Sequence, residues 1–97
     1  MARPIKARII RKEPRIRQFS PRGRTGRPGS LELKVEEFEA IRLADHLGLG
    51  QLDAAKFMGV SQQTFSRVLK NGRKHIAEAI VNGLIINVKG GDFKIEK

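Results

Sequence analysis

From Ser61 to Lys74 the sequence reads SQQTFSRVLKNGRK, and every polar side chain in it is a type that can recognise nucleic acid. Glutamine forms paired hydrogen bonds with adenine and arginine with guanine, and a major groove is wide enough to admit a helix. Gln62, Gln63, Ser66 and Arg67 are therefore the candidate base-reading residues. Lys70, Arg73 and Lys74, together with Gln51 and Ser61, are candidates for holding phosphates, which fix register without reading sequence. No carboxylate interrupts this stretch. A solvated basic helix of an ordinary bundle would look similar, so the elements that carry these residues decide the reading.

Those elements have the grammar of a helix-turn-helix. Gln51 to Met58 places Leu52, Ala55 and Met58 at helical spacing as an inward face. Gly59 supplies the turn, where a positive φ costs a residue with a Cβ much more. Ser61 follows as N-cap. The second helix, from Gln62 onward, turns Phe65, Val68 and Leu69 inward and leaves the amide and cationic set outside.

Charge points to the same class of partner. Of the net +10, residues 1–30 supply +9, from eight Arg and two Lys against one Glu, and the remaining residues only +1. Such asymmetry predicts a polyanion, because bound Lys and Arg release condensed counterions from a nucleic acid. Met1 to Ser30 also holds all four prolines, which argues against long helices there, and its stretch from Pro21 to Ser30, PRGRTGRPGS, reads as a flexible basic arm. Within it Gly26-Arg27-Pro28 resembles the core of AT-hook peptides, so Arg22, Arg24 and Arg27 are candidates for a narrow minor groove or for backbone phosphates. A charged linker touching phosphates nonspecifically is the blander reading. A lipid surface is less well supported, since no amphipathic apolar face accompanies the charges.

The rest of the chain completes the expected frame. Arg8-Ile9-Ile10-Arg11 and Arg15-Ile16-Arg17-Gln18-Phe19 read as two short strands, ordered by pairing with C-terminal strands. Glu36 to Leu47 reads as a helix with Phe38, Ile41 and Ala44 aligned, Gly48 as terminator, and its carboxylates on a solvated face turned away from DNA. Beyond Lys70 the phase Leu69, Ile76, Ile80 extends the helix to about Asn82 with a bend at Gly72. Leu84 to Val88 and Phe93 to Ile95, around Lys89-Gly90-Gly91-Asp92, read as a hairpin. The expected fold is mainly α: a three- to four-helix domain over 31–83, a partly extended arm over 1–30 and a C-terminal β-hairpin over 84–97.

Several classes of function find no support. There is no cysteine, hence no disulfide framework or thiol nucleophile. His46 and His75 fall on different helices without paired spacing, so neither an enzyme nor a metal site is expected, and no cofactor. No apolar run approaches the roughly 20 residues of a membrane span, and no secretory signal is visible, which makes a cytoplasmic location the expectation.

The run FEAIRLADHLGLGQLDAAKFMGVSQQTFSRVLKNGRKHIAEAIVNGLIINVKGG resembles the small prokaryotic family known as domain of unknown function 134. The resembling residues include Glu39 to Asp45, Gln51, Ala54-Ala55, Met58 to Ser61, Gln63 to Phe65 and Arg73-Lys74. Gly50 and Gln62 depart from the family's usual Ser and Arg. The resemblance implies a helix-turn-helix similar to region 4 of sigma factors and a role in transcription. The leading expectation is thus a sequence-preferring double-stranded DNA-binding protein, and the alternative an RNA-binding or ribosome-associated basic protein. A modest core leaves room for a homodimer, and Phe57, apolar on the first motif helix, could anchor a contact with the transcription machinery.

Overall fold

Short-range signals govern the middle of the chain in the computed structural model, which describes residues 7–23 and 26–96. Helix α2 spans Gln51–Met58 and helix α3 spans Gln62–Asn82. Gly59 between them has φ 66° and ψ 33°, a left-handed conformation that suits glycine. The Val60 amide donates to the Ala55 carbonyl at 3.0 Å and closes the turn. Ser61 caps α3, its hydroxyl accepting from the Thr64 amide at 3.1 Å, an interaction of about 1 kcal/mol. Phe65, Val68 and Leu69 are buried as their spacing predicts. On α2 the buried set is Ala54, Ala55 and Met58, whereas Leu52, expected inward, is 55% exposed.

The helix expected over Glu36 to Leu47 is realised as α1, Val35–Ile41, continued by one π turn over Arg42–His46. The Leu47 amide reaches back five residues to the Arg42 carbonyl at 2.8 Å. Its three glutamates are not solvated, whereas Asp45 in the π turn is exposed. Glu36, Glu37 and Glu39 are 5%, 3% and 0% exposed, which overturns the expectation of an acidic outer face. Burial of an ionised carboxylate is tolerable only with hydrogen-bonded partners, and each glutamate has them. Glu39 accepts from the Arg11 amide at 2.8 Å and from Arg42 Nε at 2.6 Å and Nη2 at 3.0 Å. Glu37 accepts from the Lys34 amide at 3.0 Å and lies 2.9 Å from His75 Nδ1. Glu36 accepts from the Asp92 amide at 2.7 Å and pairs with Arg8 Nε at 3.2 Å.

Five strands complete the fold among the described residues: β1 Arg8–Ile10, β2 Gln18–Phe19, β3 Ser30–Leu33, β4 Ile85–Val88 and β5 Phe93–Ile95. They form two sheets, a parallel pair β1-β5 and a three-stranded β2-β4-β3, in which β4 runs antiparallel to β2 and parallel to β3. The fold is therefore α/β, with three helices, 47% helical, and two small sheets, rather than a mainly α helix-turn-helix domain closed by a hairpin. The expected hairpin fails because both edges of β4 are already occupied, by β2 and β3, so β5 has no edge of β4 to join. The Lys89-to-Asp92 turn instead crosses the start of α1, where the Val35 amide donates to the Gly90 carbonyl at 3.2 Å.

The N-terminal strands do pair with C-terminal ones, and this makes them part of the domain. Ile10 is fully buried and joins Leu33, Leu43, Met58, Phe65, Leu69 and Val88 in one core drawn from strands and helices alike. Each such side chain contributes about 1.5–3 kcal/mol by leaving water. The stretch before Ser30 is thus not detachable as a whole, because losing it removes Ile10 and two strands.

Helix α3 is continuous through Gly72, one long helix from Gln62 to Asn82 rather than two. Glycine is needed there for contact. A Cβ would lie 3.0 Å from Ile41 Cδ1 and 3.1 Å from Glu37 Cβ, the place where α1 meets α3. Ile80, expected to extend the inward face, is 74% exposed. Two stability measurements test this packing. Urea titration of Gly72→Ala should show a loss of about 1 kcal/mol or more, although alanine has the higher helix propensity, because overpacking outweighs the gain of roughly 1 kcal/mol. Glu39→Gln should cost about 3 kcal/mol, since it removes the carboxylate facing Arg42 and leaves that guanidinium half-paired; a loss below 1 kcal/mol would show that the buried pair does not secure the fold.

Candidate nucleic-acid interface

Within α3, the 3.6-residue period gathers Gln63, Arg67, Lys70 and Lys74 on one stripe, with Gln62 beside it. All five are exposed, and none has a side-chain partner among the described residues. The stripe is not covered by the chain's own strands. Its rear is anchored: Phe65 and Leu69 at 0% and 1% exposure hold α3 to the core. Strand β1 braces the turn from behind, with Ile9 Cδ1 3.0 Å from where a Gly59 Cβ would stand. The entry to α3 is therefore set by the Gly59 conformation, the Ser61 cap and Ile9 together.

Four of the candidate residues are already engaged. Ser66 Oγ forms a short hydrogen bond with Gln51 Oε1, tying the first turn of α2 to α3. Arg73 forms a two-point pair with Asp45, Nη2 to Oδ1 at 2.6 Å and Nε to Oδ2 at 3.1 Å. The hydrogen bond from Arg73 holds the Asp45 carboxyl below its ordinary range and raises the arginine in turn. Ser61, the remaining phosphate candidate, is exposed, but its hydroxyl is used by the cap and by Thr64 Oγ1 at 3.0 Å.

In the arm, Arg22 and Arg27 are exposed, whereas Arg24 lies outside the described residues. Phe57 is 43% exposed, and the Arg11 guanidinium sits 5.4 Å from its ring centroid and donates from Nε to its carbonyl at 3.2 Å. Arg11 also pairs with Glu96 at 3.1 Å. His75 does have an acidic partner, Glu37, which sequence spacing did not reveal. Among the described residues no group of three or more His, Asp or Glu side chains is placed to hold a metal ion, and no helix is long and apolar enough to cross a membrane.

A turn glycine, a capped helix and an exposed cationic stripe together make up the α2–α3 surface. The family model described as protein of unknown function DUF134 matches residues 1–96, and the chain belongs to that family. It is 47% identical over 93 residues to a UPF0251 protein of Caldicellulosiruptor bescii, covering 96% of this chain and 65% of the relative. A UPF0251 protein of Syntrophobacter fumaroxidans is 48% identical over 92 residues, with 94% and 59% covered. The archaeal UPF0251 protein of Methanothermobacter thermautotrophicus is 46% identical over 93 residues, with 96% and 49% covered. The chain thus spans less than two thirds of the length of these curated relatives. No solved structure matches it.

The exposed Asp45 and Arg73 pair carries a pH signature. With the folded-state carboxyl lowered, its contribution is present above the unfolded carboxyl range of about 4 and is lost as pH falls through the lower folded value. Solvent screening keeps it below about 1 kcal/mol. Thermal melts of the parent and of Asp45→Asn should therefore differ slightly at pH 7 and converge near pH 2; a difference that grows on acidification would contradict the pair.

Proposed function

We propose that this protein is a sequence-preferring double-stranded DNA-binding protein that regulates transcription from the cytoplasm and has no enzymatic role. Helix α2, the Gly59 turn and α3 act as a helix-turn-helix similar to that in region 4 of sigma factors, with the first half of α3 in the major groove. The observation that carries this reading is the stripe of Gln63, Arg67, Lys70 and Lys74, exposed and uncommitted on a helix whose entry is fixed by the Ser61 cap.

Roles follow from what each side chain is free to do. Gln62, Gln63 and Arg67 read base edges, while Lys70 and Lys74 meet phosphates. Ser66 holds Gln51 in place, so both act chiefly by fixing α2 against α3. Arg73 reaches phosphate by exchanging Asp45 for it, an exchange made easy by the small energy of an exposed pair. Arg22 and Arg27 add backbone or minor-groove affinity from the segment before β3.

RNA binding draws less support. Tyr and Trp are absent, and the half-exposed Phe19 and Phe57 are the one at the margin of an apolar groove and the other against the Arg11 guanidinium, which leaves few rings for base stacking. A homodimer would read two half-sites about one helical turn apart.

In a selection from randomised duplexes, Arg67→Ala should lose about 1–3 kcal/mol of affinity and relax preference at one base pair, whereas Lys70→Ala should weaken all sequences alike and reduce the salt slope by about 1. Unchanged base preference in Arg67→Ala removes that residue from the reading role. Tighter binding to folded RNA than to duplex DNA at matched ionic strength would replace the whole reading.

A further inference from the structure

On another side of α3 the fold encloses a half-open groove of about 550 Å³. Ile76 of α3 and Ile86 of β4 line it together with Phe38 and Ile41 of α1, and the segment from Lys12 to Phe19 forms a wall. Ile16, Phe19 and Leu47 at its margin are 55%, 49% and 51% exposed. The volume lies within the roughly 300–1,000 Å³ of small-molecule sites, and such sites combine an apolar lining with a few polar groups that orient the ligand.

The charged groups here are mostly cationic. Lys12, Arg15 and Arg42 line the groove with His46, against a single carboxylate, Glu13. Glu13 is engaged by Arg17 at 3.4 Å, and Arg42 is held by Glu39. Lys12 and Arg15 have no partner among the described residues. The π turn brings Arg42 and His46 to this groove, and π turns recur at functional sites because they displace side chains from the regular helical surface. A second copy of the chain is a poor occupant. An isologous contact centred on the groove sets two cationic margins against each other, and like-charge juxtaposition costs several kcal/mol.

We propose that this groove is a binding site for a soluble amphipathic monoanion, an elongated or flat apolar body ending in one carboxylate, with the body over Ile76, Ile86 and Phe38 and the carboxylate between Lys12 and Arg15. The site stands independently of DNA binding. It nevertheless shares α3 with the reading stripe, so a ligand packed on Ile76 touches the same helix from another face.

Calorimetric titration of the full chain with dodecanoate below its micellar concentration tests the proposal, with dodecanol and dodecyltrimethylammonium as headgroup controls. Saturable one-to-one binding of dodecanoate, at least tenfold tighter than either control, is expected. Lys12→Ala/Arg15→Ala, both changes on exposed side chains, should weaken dodecanoate at least tenfold and leave dodecanol unchanged. Amide shifts in ¹H–¹⁵N spectra should cluster at Ile76, Ile86 and Phe19, a readout that does not depend on the variants. Equal affinity for the three headgroups, no saturable binding, or shifts elsewhere on the molecule would overturn the assignment. So would capture by phosphatidylglycerol vesicles without binding of free dodecanoate, which assigns the groove to a membrane. A concentration-dependent dimer abolished by Ile16→Ser, with dodecanoate unable to compete, would assign it to a second copy.

Discussion

Three glutamate side chains on one short helix must leave water for this fold to close, and the rest of the architecture supplies their partners. Glu36, Glu37 and Glu39 are almost wholly buried. A carboxylate moved into the interior without donors costs several kcal/mol, far more than any single methylene contributes. Each is satisfied by a different part of the chain: Glu39 by Arg11 and Arg42, Glu37 by Lys34 and His75, Glu36 by Arg8 and Asp92. Helix α1 is thereby bound at once to the N-terminal strand, to α3 and to the turn before β5.

This arrangement explains why the chain's two ends belong to the body of the domain. β1 pairs with β5 and β2 with β4, so N-terminal and C-terminal segments share both sheets. Arg8 and Arg11, which in composition look like two more members of a basic tail, are structural cations of the α1 interior and of the Phe57 and Glu96 contacts. The excess positive charge therefore divides. Arg8 pairs with the buried Glu36, and other cations, including Arg22, Arg27, Lys70 and Lys74, are exposed.

Helix α3 carries the functional consequence, because it presents different chemistry on different faces. Phe65, Leu69 and Ala79 fasten it to the core, the Gln63 and Arg67 stripe faces solvent, and Ile76 lines the apolar groove. Gly72 lets α1 approach closely enough to fix the helix in place along its middle.

What the amino-acid order alone determined is a set of features that depend on neighbours three or four positions away, although the same spacing misplaced Leu52 and Ile80. The Gly59 turn, the Ser61 cap, the bounds of α2, the inward Phe65, Val68 and Leu69 and the outward Gln63 and Arg67 all follow from caps and a 3.6-residue period. Family membership was legible too, in the residues from Glu39 to Lys74. Tertiary structure alone decided which strands pair and which carboxylates are buried. The Arg11 amide finds Glu39 across 28 residues, Glu37 meets His75 across 38 and the Asp92 amide meets Glu36 across 56. A glutamate beside an arginine reads as a solvated face until distant donors surround it, and a strand beside a glycine turn reads as a hairpin until both edges of its neighbour are taken. Local chemistry sets conformation over one turn, but desolvation and strand pairing are settled only by what the whole chain brings to the same place.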